Sequence, residues 1–539
     1  MSNPPDSMER IVALCRRRGF IFGSSEIYGG IGGFWDYGPL GCELKKNIKD
    51  VWWKDMVQTP PVGPNGREYQ MVGVDCSIIM NPKVWEASGH VGGFADNMVS
   101  CLKDGCNKLF RADKAFILGF FDMSEIDATA GVIEEALKIA KSDPNKAHEM
   151  MAGVNRAPKY LKVVEADTFD DANRQNPFDS LPNSVRKLFK GIPAPATWPL
   201  DKPLPQSWPR VACPNCGGEL SEPRSFNLMF ESHTGALQNT SSKVYLRPET
   251  AQGIFVNFKN VMDSTRVKVP FGIAQVGKAF RNEITPRNFT FRSREFEQME
   301  IEFFCNPKES RMWYEYWRDL RKNWYTSLGI KSDKLRPREQ GKEELAHYSC
   351  GTTDIEYLFP FSNEPQELEG VAHRGDYDLT QHQKHSGKDL TYFDDETKER
   401  YLPHVIEPSA GADRFTLAVI TEAYTVDETR ASSEFMKFHP RLAPIKAAVF
   451  PLVAKDGLPE IAEPIYREIR KHYPCQFDAK QSIGKRYARM DEAGTPFCFT
   501  IDGQSKEDGT VTVRNRDDAS QLRIDKSRCL QYLRDQLHL

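Results

Sequence analysis

Arg281, Asn282 and Glu283 follow a strand-like run, Phe271 to Phe280, and a loop through Thr285, Pro286 and Arg287 leads to Phe291, Arg292, Ser293, Arg294, Glu295 and Phe296. Two antiparallel strands joined by so basic a loop would aim several guanidinium groups at one spot. A guanidinium is a planar fork that grips two phosphate oxygens together and stays charged, so the chemistry indicated is phosphate binding. Alone, the same residues equally describe an exposed hairpin with surface ion pairs. In a second element, Glu407 to Ile420, a small-residue turn precedes Asp413, Arg414 and an apolar run of helical length. That spacing puts Arg414 near the start of a buried helix, where an arginine is a ligand for an anion, a solvated helix end or half of a core ion pair.

A third grouping is Cys101-x4-Cys106 with Cys213-x2-Cys216, the latter followed by Gly217 and Gly218. The second pair has the spacing of half a zinc knuckle, whereas x4 is looser than the common ribbon. The readings are a structural zinc or four reduced thiols, and the prolines and glycines around Cys213 favour the tight turn of a metal site. The other cysteines are isolated and read as small core or surface residues.

These groups need elements to hold them. Met8, Ile11, Val12 and Cys15 mark one face of an opening helix that Gly19 can close, and Phe20 to Gly41 carries too many glycines for anything but turns and short extended pieces. Cys42 to Val57 returns to a helical pattern suited to a core or a subunit contact. Two short helical patterns after Asp113 give way to Pro193, Pro195, Pro199, Pro203, Pro205 and Pro209, which reads as an insertion, about 114–210, ending in a semi-rigid linker. From Val244 to Phe304 the texture is that of strands. Within it Met299, Ile301 and Phe303 alternate with Gln298, Glu300 and Glu302, predicting one core face and one polar face. Beyond about Leu442, strand-like runs (Ala447 to Leu452, Pro496 to Ile501, Thr510 to Val513) alternate with helical patterns (Ile461 to Ile469, Ile483 to Met490, Ile524 to Leu537), the texture of a separate small α/β domain.

With 539 residues, two or three domains are expected, and 40% hydrophobic with 27% charged residues is an ordinary globular composition. A formal charge of −3 gives no bulk attraction to nucleic acid, so a polyanion would need local basic patches. No run approaches a membrane span and Met1 to Arg18 lacks a signal-peptide core, so a cytoplasmic protein without membrane contact is expected. Twelve cysteines in such a chain are thiols or metal ligands rather than a disulfide framework. No internal repeat stands out.

Together the two arginine elements are the motif 2 and motif 3 patterns of class II aminoacyl-tRNA synthetases, and the chain strongly resembles the glycyl-tRNA synthetases of the homodimeric type. The resemblance runs from Gly19 to the C-terminus. It rests on FWDYGPLG at 34–41, matching motif 1 around Pro39, LRPETAQG at 246–253, RNEITPR at 281–287, FRSREFEQME at 291–300, HRGDYDLTQH at 373–382 and EPSAGADR at 407–414. It implies an α+β fold: a class II catalytic domain over 1–440, an antiparallel sheet flanked by helices and carrying the insertion, then an anticodon-binding domain over 441–539. Departures are few, His373 and Gly375 standing where many relatives have Asn and Thr.

The implied activity is ATP-dependent activation of glycine, then transfer of the glycyl group to the 3′ end of tRNA(Gly) by a homodimer. Arg281, Glu283 and Arg414 are the implied catalytic set, with Arg281 on the α-phosphate and Arg414 on the γ-phosphate. The ATP site takes in Arg281, Asn282, Glu283, the bracket around adenine from Phe291 through Arg292, Ser293, Arg294 and Glu295 to Phe296, the pair Glu367 and Leu368, and Gly411, Ala412, Asp413 and Arg414. Glu367 is the implied Mg²⁺ ligand. Glycine falls to Arg111, Glu249, Phe296, Glu297, Gln298, Met299, Glu300, Arg374, Glu407, Pro408, Ser409, Ala410 and Gly411. Carboxylates suit the substrate ammonium, and a cramped pocket rejects every larger amino acid without an editing domain. In the C-terminal domain SIGKRYARMDEAGTPFCFTIDG at 482–503 and TVTVRNRDDASQ at 510–521 imply tRNA contacts by Lys485, Arg486, Arg489, Arg514 and Arg516. Two rivals are a relative that has lost its chemistry and a synthetase for serine, threonine or proline. The retained charged residues oppose the first; the EPSAG and LRPETAQG blocks oppose the second.

Overall fold

The computed structural model describes residues 7–106, 108–112, 115–122, 135, 160–165, 193–200, 210–341, 344–346 and 349–537. Two compact units result, one of Met1–Ser88 with Met229–Leu539 and one of Gly89–Leu228.

The first unit is built on seven strands, β1 (Gln70–Gly73), β2 (Phe271–Phe280), β3 (Glu295–Cys305), β4 (Leu335–Glu339), β5 (Gly351–Tyr357), β6 (Gln366–Gly375) and β7 (His404–Gly411). They lie in the order β4-β5-β6-β7-β3-β2-β1, antiparallel throughout except that β1 runs parallel to β2. The longer helices around it are α1 (Ser7–Arg18), α2 (Pro39–Trp53), α3 (Ala251–Thr265), α4 (Ser310–Ser327), α5 (Tyr377–Ser386) and α6 (Ala412–Ala423). One sheet face packs Met299, Ile301 and Phe303 against Leu44 and Ile48 of α2, Trp313 and Trp317 of α4 and Phe415 of α6. The other packs Phe271, Ile273 and Phe304 against Ile254, Phe255 and Phe258 of α3 and Leu379 of α5.

The alternation from Gln298 to Phe303 gives the expected core and polar faces, and the polar one, Gln298, Glu300 and Glu302, is buried as well. Two expectations are corrected in this unit. Glu407 to Gly411 is no turn; it runs as part of β7, paired antiparallel with β3 and β6. The helix expected from Cys42 begins at Pro39, whose fixed φ and absent N–H suit a first helical turn. A Cβ on Gly41 would lie 1.8 Å from the carbonyl oxygen of Phe20, so only glycine lets α2 pack there. Before it, Ile21–Gly23 and Trp35–Tyr37 pair as the expected short extended pieces.

The C-terminal part is a five-stranded sheet of β8 (Ala447–Pro451), β9 (Cys475–Phe477), β10 (Phe497–Ile501), β11 (Thr510–Asn515) and β12 (Gln521–Asp525), in the order β9-β8-β10-β11-β12. Helices α7 (Leu458–Arg470) and α9 (Cys529–Leu537) cover one face through Ala462, Ile469 and Leu533. Helix α8 (Ile483–Ala493) covers the other through Met490 and Ala493. The helix expected over Ile524 to Leu537 divides: Ile524 belongs to β12, and the Asp525 side chain accepts from Ser527 N at the turn into α9.

In the second unit, Ala115–Asp122 lies between Tyr160–Glu165 and Pro193–Pro199. Residues 193–199, expected as linker, therefore form an edge strand, where the lack of a proline N–H is tolerated. The helical patterns expected before them lie outside the described residues. The unit's bounds at Gly89 and Leu228 are wider than the expected insertion of 114–210. Among the described residues no helix is long and apolar enough to cross a membrane.

Candidate active site

A cavity of about 370 Å³ opens over β3, β7, β6 and β5. The loop between β2 and β3 supplies Arg281, Glu283, Phe291, Arg292 and Ser293 to its wall, β3 supplies Phe296, Gln298 and Glu300, β7 supplies Glu407, Ser409 and Gly411, and Glu367, Asp413, Arg414 and Glu249 complete the expected residues there. Arg281 and Arg414, more than a hundred residues apart in sequence, thus open onto one cavity.

The cationic half is held by its neighbours. Arg281 donates from Nε to the Pro248 carbonyl (3.0 Å), with its guanidinium 5.3 Å from the centre of the Phe296 ring. Arg414 donates from Nε to the Phe291 carbonyl (3.2 Å), lies 4.7 Å over the Phe291 ring and pairs with Glu367 at 3.1 Å. Phe291 is wedged edge-on against Phe359 and Phe361, which fixes the ring the arginine covers. Arg414, and then Arg281 and Arg292, hold the Glu367 carboxyl below its usual range despite partial desolvation.

The acidic half is buried. Glu300 accepts from Ser409 Oγ (2.7 Å), Gln298 Nε2 (3.3 Å) and Thr250 Oγ1. Glu407 accepts from Arg374 Nη1 (2.8 Å), and the same guanidinium donates twice to Asp378 at 2.8 and 2.9 Å. Gln252 Nε2 bridges Glu249 and Asp378, both at 3.0 Å, and its Oε1 meets His382 Nε2 at 2.8 Å. Burial, and then Glu300 and Glu249 against the pull of Arg374, push the Glu407 carboxyl up to about 8. Burial and Glu249 raise Glu300 too. Buried carboxyls that repel one another, with one arginine between them, make a place of negative potential fit for a small cation such as an ammonium.

Several expected contacts lie elsewhere, because a strand shows alternate side chains to opposite faces. Met299, Pro408 and Ala410 are turned from the cavity, and Leu368 is buried in the core below the Glu367 backbone. Glu297 pairs with Lys45 (3.1 Å) and Lys49 (2.8 Å) of α2. Ala412 is buried in the core, and Asp413, although at the cavity wall, accepts from Lys45 and from Glu297 N at 2.7 Å. Arg294 ties the loop to the carbonyls of Glu283 and Gly32, both at 2.7 Å, and Glu295 pairs with Lys278. Asn282 is partly exposed and is not a wall residue. Arg374 orients Glu407 from behind rather than facing the cavity. Arg111 belongs to the second unit, where it pairs with Asp96 at 3.0 Å.

Missed in the sequence were Thr290, in the loop between β2 and β3, and Gln340, Glu344, Ala346, Thr352, Asp354, Gly370 and Ala372, the wall on the β4-β5-β6 side. Asp354, which accepts from Gln340 and Arg338, is pushed up to about 6 by burial and then by Glu367. No motif marks the residues of the β4-β5-β6 side; they arrive through strand pairing.

Two other groups complete the expected set. The sulfurs of Cys101, Cys106, Cys213 and Cys216 all lie within 4.8 Å of one another, with Cys101 to Cys216 at 3.4 Å and Cys106 to Cys213 at 3.8 Å. In the C-terminal part Lys485 is exposed and Arg489 half-exposed beside Asp478. Arg486, Arg514 and Arg516, by contrast, are buried and taken up internally: Arg486 by the carbonyls of Pro451, Asp478 and Leu452, Arg514 by both oxygens of Asp491, Arg516 by the carbonyls of Gly494 and Phe438. Their expected role as tRNA contacts is corrected to one of holding the domain together.

Comparison with known proteins agrees with this geometry. Residues 231–424 match the family described as tRNA synthetase class II core domain (G, H, P, S and T), and 446–536 match the anticodon binding domain. A crystal structure of prolyl-tRNA synthetase from Cryptosporidium parvum shares the fold, with a TM-score of 0.56 and 12% identity over 98% of this chain and 76% of that one. Glycine–tRNA ligases of Rhodopirellula baltica and Geobacillus thermodenitrificans are 50% and 47% identical, covering 96% of this chain and 97% and 95% of theirs. That of Lachnospira eligens is 45% identical over 98% of both chains. At such identity over nearly the whole length, the chain belongs to the glycine–tRNA ligases, class II aminoacyl-tRNA synthetases that join glycine to tRNA with ATP.

Proposed function

We propose that the two halves of the cavity divide glycine activation between them. Arg281 holds the α-phosphate of ATP, Arg414 the γ-phosphate, and Phe291 with Phe296 brackets the adenine. Glu249, Glu300 and Glu407, steadied by Ser409 and Arg374, hold the glycine ammonium. A carboxylate oxygen of glycine then attacks the α-phosphorus; that O–P bond forms as the bond to pyrophosphate breaks, giving glycyl-adenylate. A ribose hydroxyl at the tRNA 3′ end next attacks the glycyl carbonyl, and AMP leaves. The chain need supply no nucleophile: fixed guanidiniums offset the charge that builds on phosphorus, and positioning does the rest. What supports this reading is that cations and buried carboxylates face each other across a single cavity.

Glu367, an ionised carboxylate half-exposed beside the phosphate-binding arginines, suits Mg²⁺, which takes few protein ligands and completes its shell with phosphate oxygens and water. Bound there, the ion would supply charge neutralisation on the phosphates. The four cysteines suit a structural zinc, since tetrahedral ligation places thiolate sulfurs about 3.8 Å apart. Lys485 and Arg489 are proposed to touch tRNA(Gly). Association as a homodimer is supported by the motif 1 resemblance and by Ile27 and Tyr28, which are 88% and 87% exposed in the loop before Trp35. A cytoplasmic site of action fits a ligase serving translation whose twelve cysteines are all free.

The glycine half is tested by steady-state kinetics of Ser409→Ala. Glu300 loses a donor, so KM for glycine is expected to rise about tenfold while KM for ATP holds, one hydrogen bond to a charged group contributing roughly 1.5 kcal/mol. An unchanged KM for glycine would overturn the assignment.

A further inference from the structure

Glu302 has no part in the roles above. It lies two residues beyond Glu300 on the same face of β3, wholly buried, and neither carboxyl oxygen has a hydrogen-bond partner. Carboxylate oxygens of Glu300, Glu302 and Glu407 lie within 4.8 Å of one another. The two neighbours are held, Glu300 by Ser409, Gln298 and Thr250, and Glu407 by Arg374. An ionised carboxylate in that place would be a buried charge with no donor, beside two more acidic groups, which proteins avoid by keeping a proton on it.

We infer that Glu302 is a positioning residue for glycine recognition, an uncharged carboxylic acid packed behind Glu300 and Glu407 that keeps their carboxylates in place for the substrate ammonium. Burial, and then repulsion from Glu407, raises its carboxyl well above the usual range, in keeping with that state. Kept neutral, it adds no further buried charge to the acidic group. The inference rests on the glycine pocket proposed above and goes one layer deeper.

Kinetics of Glu302→Gln, Glu302→Met and Glu407→Gln in the full-length ligase test it. Glu302→Gln preserves shape, neutrality and a donor, so its KM for glycine is expected within about threefold of the wild type. Glu302→Met keeps the volume but loses the polar end, and its KM for glycine is expected to rise at least tenfold with KM for ATP unchanged. The inference is overturned if Glu302→Gln raises KM for glycine tenfold, which would mean that a charge, or a cation bound to it, is needed. It is equally overturned if Glu302→Met binds glycine like the wild type. Should Glu302→Met fail to fold, Glu302→Gln decides alone. Glu407→Gln separates the layers: an unchanged KM for glycine there refutes the pocket itself.

Discussion

Arg414 grips Glu367 at two points, its Nη1 lying 3.1 Å from Oε1 and 3.3 Å from the carbonyl oxygen of the same residue. The first residue of β6 to enter the cavity is thereby fastened to α6 by the cation that also covers Phe291. Both ends of the contact are partly exposed, so it orients more than it stabilises. Its value is that the guanidinium proposed to hold the γ-phosphate is in place before ATP arrives.

Arg414→Ala is therefore expected to lower kcat/KM for ATP in pyrophosphate exchange by about 100-fold, the scale seen for loss of one preorganised charge-stabilising donor. Arg414→Lys should recover only part of this, because an ammonium has no planar fork to meet Glu367 and phosphate together. Full activity in Arg414→Lys would show that charge alone suffices.

Glu407 brings a pH dependence of stability. Its carboxyl titrates at about 8 in the fold and near 4 in the unfolded chain, so between those values the folded state holds the extra proton and stability declines as pH rises. Buried histidines act in the opposite sense lower down, His373 being pushed to about 4 by burial and His404, so the comparison belongs above pH 6.5. From there to pH 8, the wild-type thermal midpoint should fall relative to that of Glu407→Gln. Glycine should raise the wild-type midpoint more at pH 8 than at pH 6.5, its ammonium supplying the missing cation. A wild-type midpoint that holds or rises relative to the variant's over that range would contradict the burial of this charge.

Elemental analysis of the purified protein should give one zinc per chain, and Cys213→Ser should lose the metal and lower the thermal midpoint, since binding of a structural zinc contributes directly to folding. Four cysteines that react with a thiol reagent in the native protein, with no metal present, would favour the reduced-thiol alternative.

In the C-terminal domain the buried and exposed cations should behave differently. Arg514→Ala leaves the buried Asp491 carboxylate only its longer contact with Arg430, at 3.4 Å, and is expected to cost about 3 kcal/mol of stability, as breaking a buried pair does. Lys485→Ala should leave the thermal midpoint and pyrophosphate exchange unchanged while raising KM for tRNA. The reverse pattern would exchange their roles.

The charged residues were legible in the sequence because their types and order are unusual: Arg281, Glu283, Arg292, Glu367, Glu407 and Arg414 all reach the cavity wall. Contiguous motifs said less about side-chain direction. FEQME and EPSAG each span both faces of a strand, and only alternate members, such as Gln298 and Glu300 or Glu407 and Ser409, face the site. Asp354 and Gln340 were invisible because sheet order, not sequence proximity, carries them there. Arg486, Arg514 and Arg516 misled for the converse reason: a basic run reads as a surface, yet backbone carbonyls and Asp491 absorb these guanidiniums inside the domain.

Glycine-dependent ATP–pyrophosphate exchange by Arg281→Ala tests the division of the cavity most directly. With the fold intact by circular dichroism, exchange is expected to fall at least 100-fold in kcat/KM for ATP while glycine still raises the thermal midpoint of the variant. Exchange within a few-fold of the wild type would show that Arg281 does not bear the charge developing on the α-phosphorus, and would contradict the account.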